Sequence, residues 1–190
     1  SASRQVSINR DNKDKLSEIF CSVLILKFIF CIFSFLILFI VVFSFQKFKG
    51  EWFIFLMTFG TVIGQSLFPT WFYLGMEKMK YATIINIVAK TLFSLSIFIF
   101  IKNQSDYGYV PIINSLGFLL SGIIGFILAL KDFNLKIYLP SWEKLKTTLK
   151  DSTQFFLSRA AVSIYTNSNT FYIGIFLNNT YAGQYFAAEK

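Results

Sequence analysis

Eighteen residues, Phe28 to Phe45, pass without a single charge. A hydrocarbon layer about 30 Å thick takes about 20 apolar residues in a helix, so this run nearly crosses one unaided. Four more segments reach or approach that length. The chain is therefore expected to be an all-α, polytopic integral membrane helix bundle with about five spans: 17–45, 52–75, 81–101, 108–130 and one beginning at 153. A soluble fold of 190 residues keeps a polar shell, whereas 55% of these residues are apolar, 19% are aromatic and 25 are Phe. The same composition excludes a disordered chain, a collagen-like repeat and a disulfide-stapled secreted domain. No His is present, which removes imidazole catalysis and most transition-metal sites.

The segments divide the chain into 1–16, a segment before the first span; 17–130, four spans; 131–152, a basic link; and 153–190, which holds the fifth helix. The opening Ser-Ala-Ser-Arg and the stop at Glu189-Lys190 read as a piece of a longer polytopic protein. The 18-residue run exceeds a usual signal core and no small-residue cleavage pattern follows it, so no cleavable signal peptide is expected. Within the link, Pro140-Ser141-Trp142-Glu143 reads as a helix start. Trp142, Leu145 and Leu149 then share a face, with Lys144, Lys146 and Lys150 around the rest, as in a helix lying on headgroups. The alternative is a solvated connector.

A net charge of +8 suggests nucleic acid or a membrane surface. The basic residues lie between apolar runs and not on one amphipathic face, so no nucleic-acid partner is expected and membrane lipids are. Arg4, Arg10, Lys13, Lys15, Lys78, Lys80 and five lysines of the link all lie on one side of the layer. Those eleven stand against Lys47, Lys49, Lys102 and Lys190 on the other, which puts the amino end and the link in the cytoplasm. Cys21 and Cys31 are ten helical residues apart, about 15 Å, and cannot pair within one helix; they read as ordinary small apolar residues.

Every carboxylate lies in a link or at a span end. No acid pair, proton relay or metal cage is thus built inside these helices, and neither an enzyme nor a cofactor is expected. The charges that interrupt the apolar runs are Lys27, Lys90 and Arg159, all positive, which points to an anionic ligand. Lys90 sits near the middle of its helix, where a lysine costs about 2.5 to 3.5 kcal/mol to insert and must face protein or a wet cavity. Thr83, Asn86, Lys90 and Ser94 fall within an arc of roughly 80°, one polar stripe. Lys90 reads as lining a cavity; the alternative is a structural lysine bonded to carbonyls of a neighbouring helix.

In the last helix Ser152, Arg159, Ser163, Thr166 and Thr170 share an arc of roughly 60°. Arg159 offers a two-pronged donor suited to phosphate, or else snorkels to headgroups. The run Asn167-Ser168-Asn169-Thr170 is expected to loosen the helix by local hydrogen bonding. The candidate binders of an anionic headgroup are therefore Lys90, Arg159, Asn86, Ser163, Thr166 and Asn167. Lys27 reads as an interfacial snorkeller. Pro69 frees the Gln65 carbonyl and predicts a kink near 65–69, making Pro69 and Gly75 candidate hinge residues. Ser121, Gly125 and Ala129, with Gly117 and Gly122, form a small-residue face for close packing.

Two stretches carry a resemblance. Ser66-Leu-Phe-Pro69-Thr-Trp71-Phe-Tyr-Leu-Gly75-Met-Glu77-Lys-Met79-Lys resembles the Pro-x-Trp, Gly-x-Glu-x-Met stretch of bacterial polysaccharide flippases, the O-antigen transporter family of the multidrug/oligosaccharidyl-lipid/polysaccharide exporter superfamily. Phe155-Phe-Leu-Ser-Arg159, Tyr165-Thr-Asn167-Ser-Asn169 and Gly183-Gln-Tyr185-Phe-Ala-Ala188-Glu189-Lys190 are similar to the opening of that family's second half. The resemblance covers essentially the whole chain. It implies a two-bundle transporter of roughly twelve spans, in which the first four helices are spans three to six and the link joins the bundles. It also implies a multi-pass protein of the bacterial inner membrane whose cargo is an undecaprenyl-pyrophosphate-linked oligosaccharide. The polysaccharide polymerase and chain-length machinery are the implied partners. Two other readings stay open: a multidrug-type exporter of the same superfamily, which would carry acids inside its spans, and a membrane enzyme such as an O-antigen polymerase or acyltransferase.

Overall fold

A computed structural model describes the backbone of residues 2–176 and 179–189, and their side chains except at 47, 104, 105, 154, 155, 167, 169–171, 175, 179–182 and 189. Among these residues every regular element is helical: α1 (Ala2–Ile8), α2 (Lys13–Ser44), α3 (Gln46–Lys49), α4 (Trp52–Leu67), α5 (Thr70–Gly75), α6 (Met79–Phe100), a 3₁₀ turn (Gln104–Gly108), α7 (Tyr109–Asp132), α8 (Trp142–Phe176) and α9 (Asn179–Glu189). Four stretches are long and apolar enough to cross a membrane: Lys13–Ser44, Trp52–Gly75, Met79–Phe100 and Asp106–Asp132. The all-α, polytopic architecture is as expected. The chain divides into two units, Ser1–Thr148 and Leu149–Lys190.

Helix α2 starts four residues before the expected span because Asn12 caps it, its side chain accepting from the Lys15 amide at 3.0 Å. Its 32 residues are about 48 Å long, more than a bilayer core. The first turns are accordingly buried against protein at Leu16, Ile19 and Phe20, while Phe28 to Phe43 turn large apolar side chains outward.

The kink at Pro69 is a complete break. Proline has no N–H for the Gln65 carbonyl, and Thr70 N turns to Phe68 O at 3.0 Å, which leaves Ser66 O without its helical donor. Lys27 fills the gap: its Nζ donates to Ser66 O at 3.2 Å. Lys27 is thus not a simple snorkeller but a cation at the carboxyl end of α4, where the helix dipole favours positive charge. The carbonyl-bonding role considered for Lys90 belongs to Lys27.

After the break, α5 forms the centre of the core. Phe72 and Tyr73 are fully buried. Phe20 packs edge-on to Phe72 at 5.2 Å between centroids and stacks on Phe126 at 5.8 Å, and Phe72 meets Phe133 at 5.2 Å. Tyr73 Oη donates to Gly125 O on α7 at 2.8 Å. Trp71 packs against Phe20 and Phe72, its indole N–H buried with no acceptor among the described residues.

The Gly75-x-Glu77 turn closes α5 as a Schellman cap: Lys78 N donates to Tyr73 O at 2.9 Å and Glu77 N to Leu74 O at 3.2 Å. The left-handed position is taken by Glu77, with φ 57°, a conformation that glycine adopts without steric cost and glutamate does not. Asn134, at φ 51°, ends α7 in the same way, with Leu135 N on Leu130 O at 3.1 Å. Gly75 itself serves a close approach. A Cβ there would stand 2.6 Å from the Cβ of Val6 on α1, and Val6 is fully buried.

The small-residue face of α7 meets α4 at backbone contact. A Cβ on Gly64 would lie 2.3 Å from the Phe118 carbonyl carbon, and one on Gly122 2.5 Å from Gly64 O. Gly64 and Phe118, which meet at this crossing, both line the second cavity described below.

The helix start at Ser141-Trp142 is present, with Leu145 N on Ser141 O at 3.1 Å. That helix, however, does not stop at 150. α8 runs unbroken from Trp142 to Phe176, so the residues expected as an interfacial helix and those expected to begin a fifth span form one helix. No proline or glycine falls between Trp142 and Ile173, and the hydroxyls at the expected junction bond their own helix, Thr147 to Glu143 O and Thr153 to Leu149 O. Nor does the helix loosen at 167–170; Ser168 and Thr166 donate back to Ile164 and Val162. On length and composition α8 is not among the four membrane-crossing stretches.

Candidate functional site

The polar stripe of α6 faces α7 across a cavity of about 160 Å³. Asn86, Lys90 and Ser94, at four-residue spacing, supply one wall; Asn114, Phe118 and Ser121 of α7 supply the other. Gly117 makes the approach possible, since a Cβ there would stand 2.7 Å from the ring of Phe93. The Lys90 ammonium lies 5.8 Å from the centroid of the Phe118 ring, within cation–π range. Lys90 is exposed and Asn86 half-buried, so the charge is held over an aromatic face and open to a ligand.

A second cavity of about 160 Å³ adjoins the first. Asn86, Phe118 and Ser121 line both, and Gly64, Gln65, Phe68 and Thr70 complete it. Among the described residues Lys90 is the single charged side chain lining either cavity. The site can therefore attract an anion at one end and sets hydroxyl and amide groups among the apolar surfaces of Ala89, Phe93, Phe118 and Phe68.

Asn86 and Lys90 are thus brought together. Arg159, Ser163 and Thr166 follow one another along one side of α8 in the second unit, with Arg159 exposed. The Thr166 hydroxyl donates to Val162 O at 2.9 Å, so its donor is engaged within the helix. The side chain of Asn167 lies outside the described residues. Pro69 sits in the break between α4 and α5, and Gly75 under α1.

Sequence reasoning missed Asn114 and read Ser121 as packing alone. Asn114 is the one amide in α7, in an otherwise apolar run, and that isolation was the available signal. Gln65 shares one side of α4 with Thr58 and Thr61. Its companions Thr58 and Thr61 donate to Ile54 O and Thr58 O and do not line either cavity.

Next to α5 the amino-terminal segment is pinned by Arg10. Its Nε donates to Gly75 O at 2.9 Å and its guanidinium pairs with Glu77 at 2.6 Å. The hydrogen bond from Arg10, then its charge, hold the Glu77 carboxyl below its usual value of 4.5. A carboxylate with a depressed pKa stabilises the folded state above its unfolded pKa and loses that contribution as pH falls through the folded one. Protection of residues 2–8 from hydrogen exchange, corrected for intrinsic rates, should hold from pH 8 to about 5.5 and weaken below about 4.5. Glu77→Gln should show the weakened protection at every pH.

The family profile described as polysaccharide biosynthesis protein matches residues 1–190, the entire chain. The chain belongs to this family. Two curated relatives carry the name "Putative O-antigen transporter". The one from Shigella dysenteriae is 33% identical over 126 residues, covering 66% of this chain and 31% of the relative. The one from Escherichia coli K12 is 24% identical over 188 residues, covering 99% of this chain and 45% of the relative. The chain thus spans less than half the length of the curated relatives it matches. No solved structure matches it significantly. Within the polysaccharide biosynthesis family, then, this chain is a multi-pass membrane protein with an open cavity between α6 and α7, where Lys90 is the one charged lining residue among those described.

Proposed function

We propose that this family member acts in a flippase that moves undecaprenyl-pyrophosphate-linked O-antigen units across the bacterial inner membrane, with the anionic headgroup passing Lys90. The observation that carries the reading is the cavity itself: one ammonium, at mid-helix depth, beside Asn86 on the α6 wall and across from Asn114 on α7. A lysine at that depth is costly unless a cavity or partner receives it, and a diphosphate supplies the missing charge. The names of the relatives support a carrier in place of an enzyme. Arg159, Ser163, Thr166 and Asn167 of α8 are proposed, separately, as binders of an anionic headgroup.

Glycan export by the intact protein tests the reading. Lys90→Gln should lower export about ten- to a hundredfold at normal membrane levels, the loss of one charge-assisted contact worth about 1.5 to 3 kcal/mol. Lys90→Arg should keep part of the activity, and Arg159→Lys should lose part, since a point charge replaces a fork. Normal export by Lys90→Gln and Arg159→Gln together would contradict the site.

The proposed orientation, with α1 and the link in the cytoplasm, rests on the distribution of basic residues. In a background with Cys21 and Cys31 replaced by serine, cysteine at Lys146 should be shielded from an impermeant thiol reagent in intact cells, and cysteine at Lys102 should react. The opposite pattern would invert the topology.

A further inference from the structure

We infer that the two cavities form one bipartite groove, in which the Lys90 end holds phosphate and the Gln65–Thr70 end binds the hydroxyls of the sugar next to it. This rests on the transport reading and assigns the sugar-contacting residues within that same site.

Continuity is the first ground. Asn86, Phe118 and Ser121 line both cavities, so a ligand in one touches residues of the other. Each, at about 160 Å³, is smaller than the roughly 300 Å³ at which pockets for whole small molecules begin. Each therefore admits a chemical group of a larger ligand.

The second ground is the division of chemistry. Lys90 stands at the end shared with Ser94 and Asn114, whereas the other end presents Gln65, Thr70 and Asn86, all uncharged. Carboxamides donate and accept together, as does the threonine hydroxyl. Sugar hydroxyls also do both, while a phosphate only accepts. The neutral end thus suits a polyhydroxylated, uncharged group better than a second anion.

Direction along the membrane is the third. Lys90 lies eleven residues into α6 from Met79, about 16 Å, and Asn86 about 10 Å. Thr70 and Gln65 flank the break before α5 and share their cavity with Asn86, which lies nearer the α5–α6 turn than Lys90 does. A lipid-linked glycan carries its diphosphate between the lipid and the first sugar. With phosphate at Lys90, the sugar then extends toward the surface that bears the α5–α6 turn.

Two probes separate the ends: undecaprenyl pyrophosphate without sugar, and the lipid-linked glycan that accumulates in cells when export is blocked. Binding of each is measured to the intact protein in lipid nanodiscs. Gln65→Leu and Thr70→Val should each weaken the glycan-bearing lipid about tenfold and leave the sugar-free lipid unchanged; that unchanged binding also reports an intact fold. Lys90→Gln should weaken both. If Lys90→Gln weakens both lipids while Gln65→Leu and Thr70→Val leave the glycan-bearing one untouched, the sugar assignment is wrong and the headgroup site stands. If Gln65→Leu weakens both lipids equally, the groove is not divided as inferred. If Lys90→Gln changes neither, the transport reading of the cavity fails with it.

Discussion

Leucine in place of Gly64 should remove the protein from the membrane. At this crossing a single Cβ would come within 2.3 Å of the Phe118 carbonyl carbon and 2.4 Å of its oxygen, and backbone cannot turn aside as a flexible side chain can. One forced methyl in a packed core typically costs about 1 to 3 kcal/mol, and a whole leucine must separate the helices. Against a total stability of about 5 to 15 kcal/mol the pair does not survive that separation. Gly64→Ala should be retained with a lower thermal midpoint, and Gly50→Leu, where nothing lies within 4 Å of the added Cβ, should match the wild type. The amount of monodisperse protein extracted from membranes measures all three. Wild-type yield of Gly64→Leu would show that α4 and α7 do not cross there.

Inverting the charge at Lys90 should abolish export more completely than neutralising it. Lys90→Glu removes a charge-assisted contact worth about 1.5 to 3 kcal/mol. It also sets a carboxylate against the diphosphate, and two like charges about 4 Å apart repel by about 4 kcal/mol near a protein surface. Export should fall well beyond a hundredfold. Because Lys90 is exposed on the cavity wall, the protein should still reach the membrane. Export within tenfold of wild type would mean that no anion passes this position.

Much of this was legible in the sequence for a plain reason: a membrane helix declares itself by length and apolarity, and four of the spans lie close to where those two properties put them. The α6 stripe was legible because a four-residue spacing fixes a face without reference to any neighbour. What the face meets was not. Asn114 and Ser121 join the site because Gly117 lets α7 approach Phe93 of α6, a contact that no pattern within α7 expresses. Lys27 looked like a residue reaching for headgroups until the break at Pro69 exposed Ser66 O beside it. The docking of α1 was hidden for the same reason, since Val6 and Gly75 are far apart in sequence and in contact in space. The continuity of α8 was a different failure. Lys150, Asp151 and Ser152 read as a boundary by charge, whereas only proline, glycine or a competing cap would have ended the helix.

Binding at the Lys90 cavity can be measured directly through Asn114, which stands on the wall opposite the ammonium. With Cys21 and Cys31 replaced by serine, cysteine at position 114 is modified by a small charged thiol reagent in the intact, reconstituted protein, with and without undecaprenyl pyrophosphate. The lipid should slow modification at least tenfold, and Lys90→Gln should remove that protection. An equal rate with and without the lipid would place the anionic headgroup somewhere other than the α6–α7 cavity.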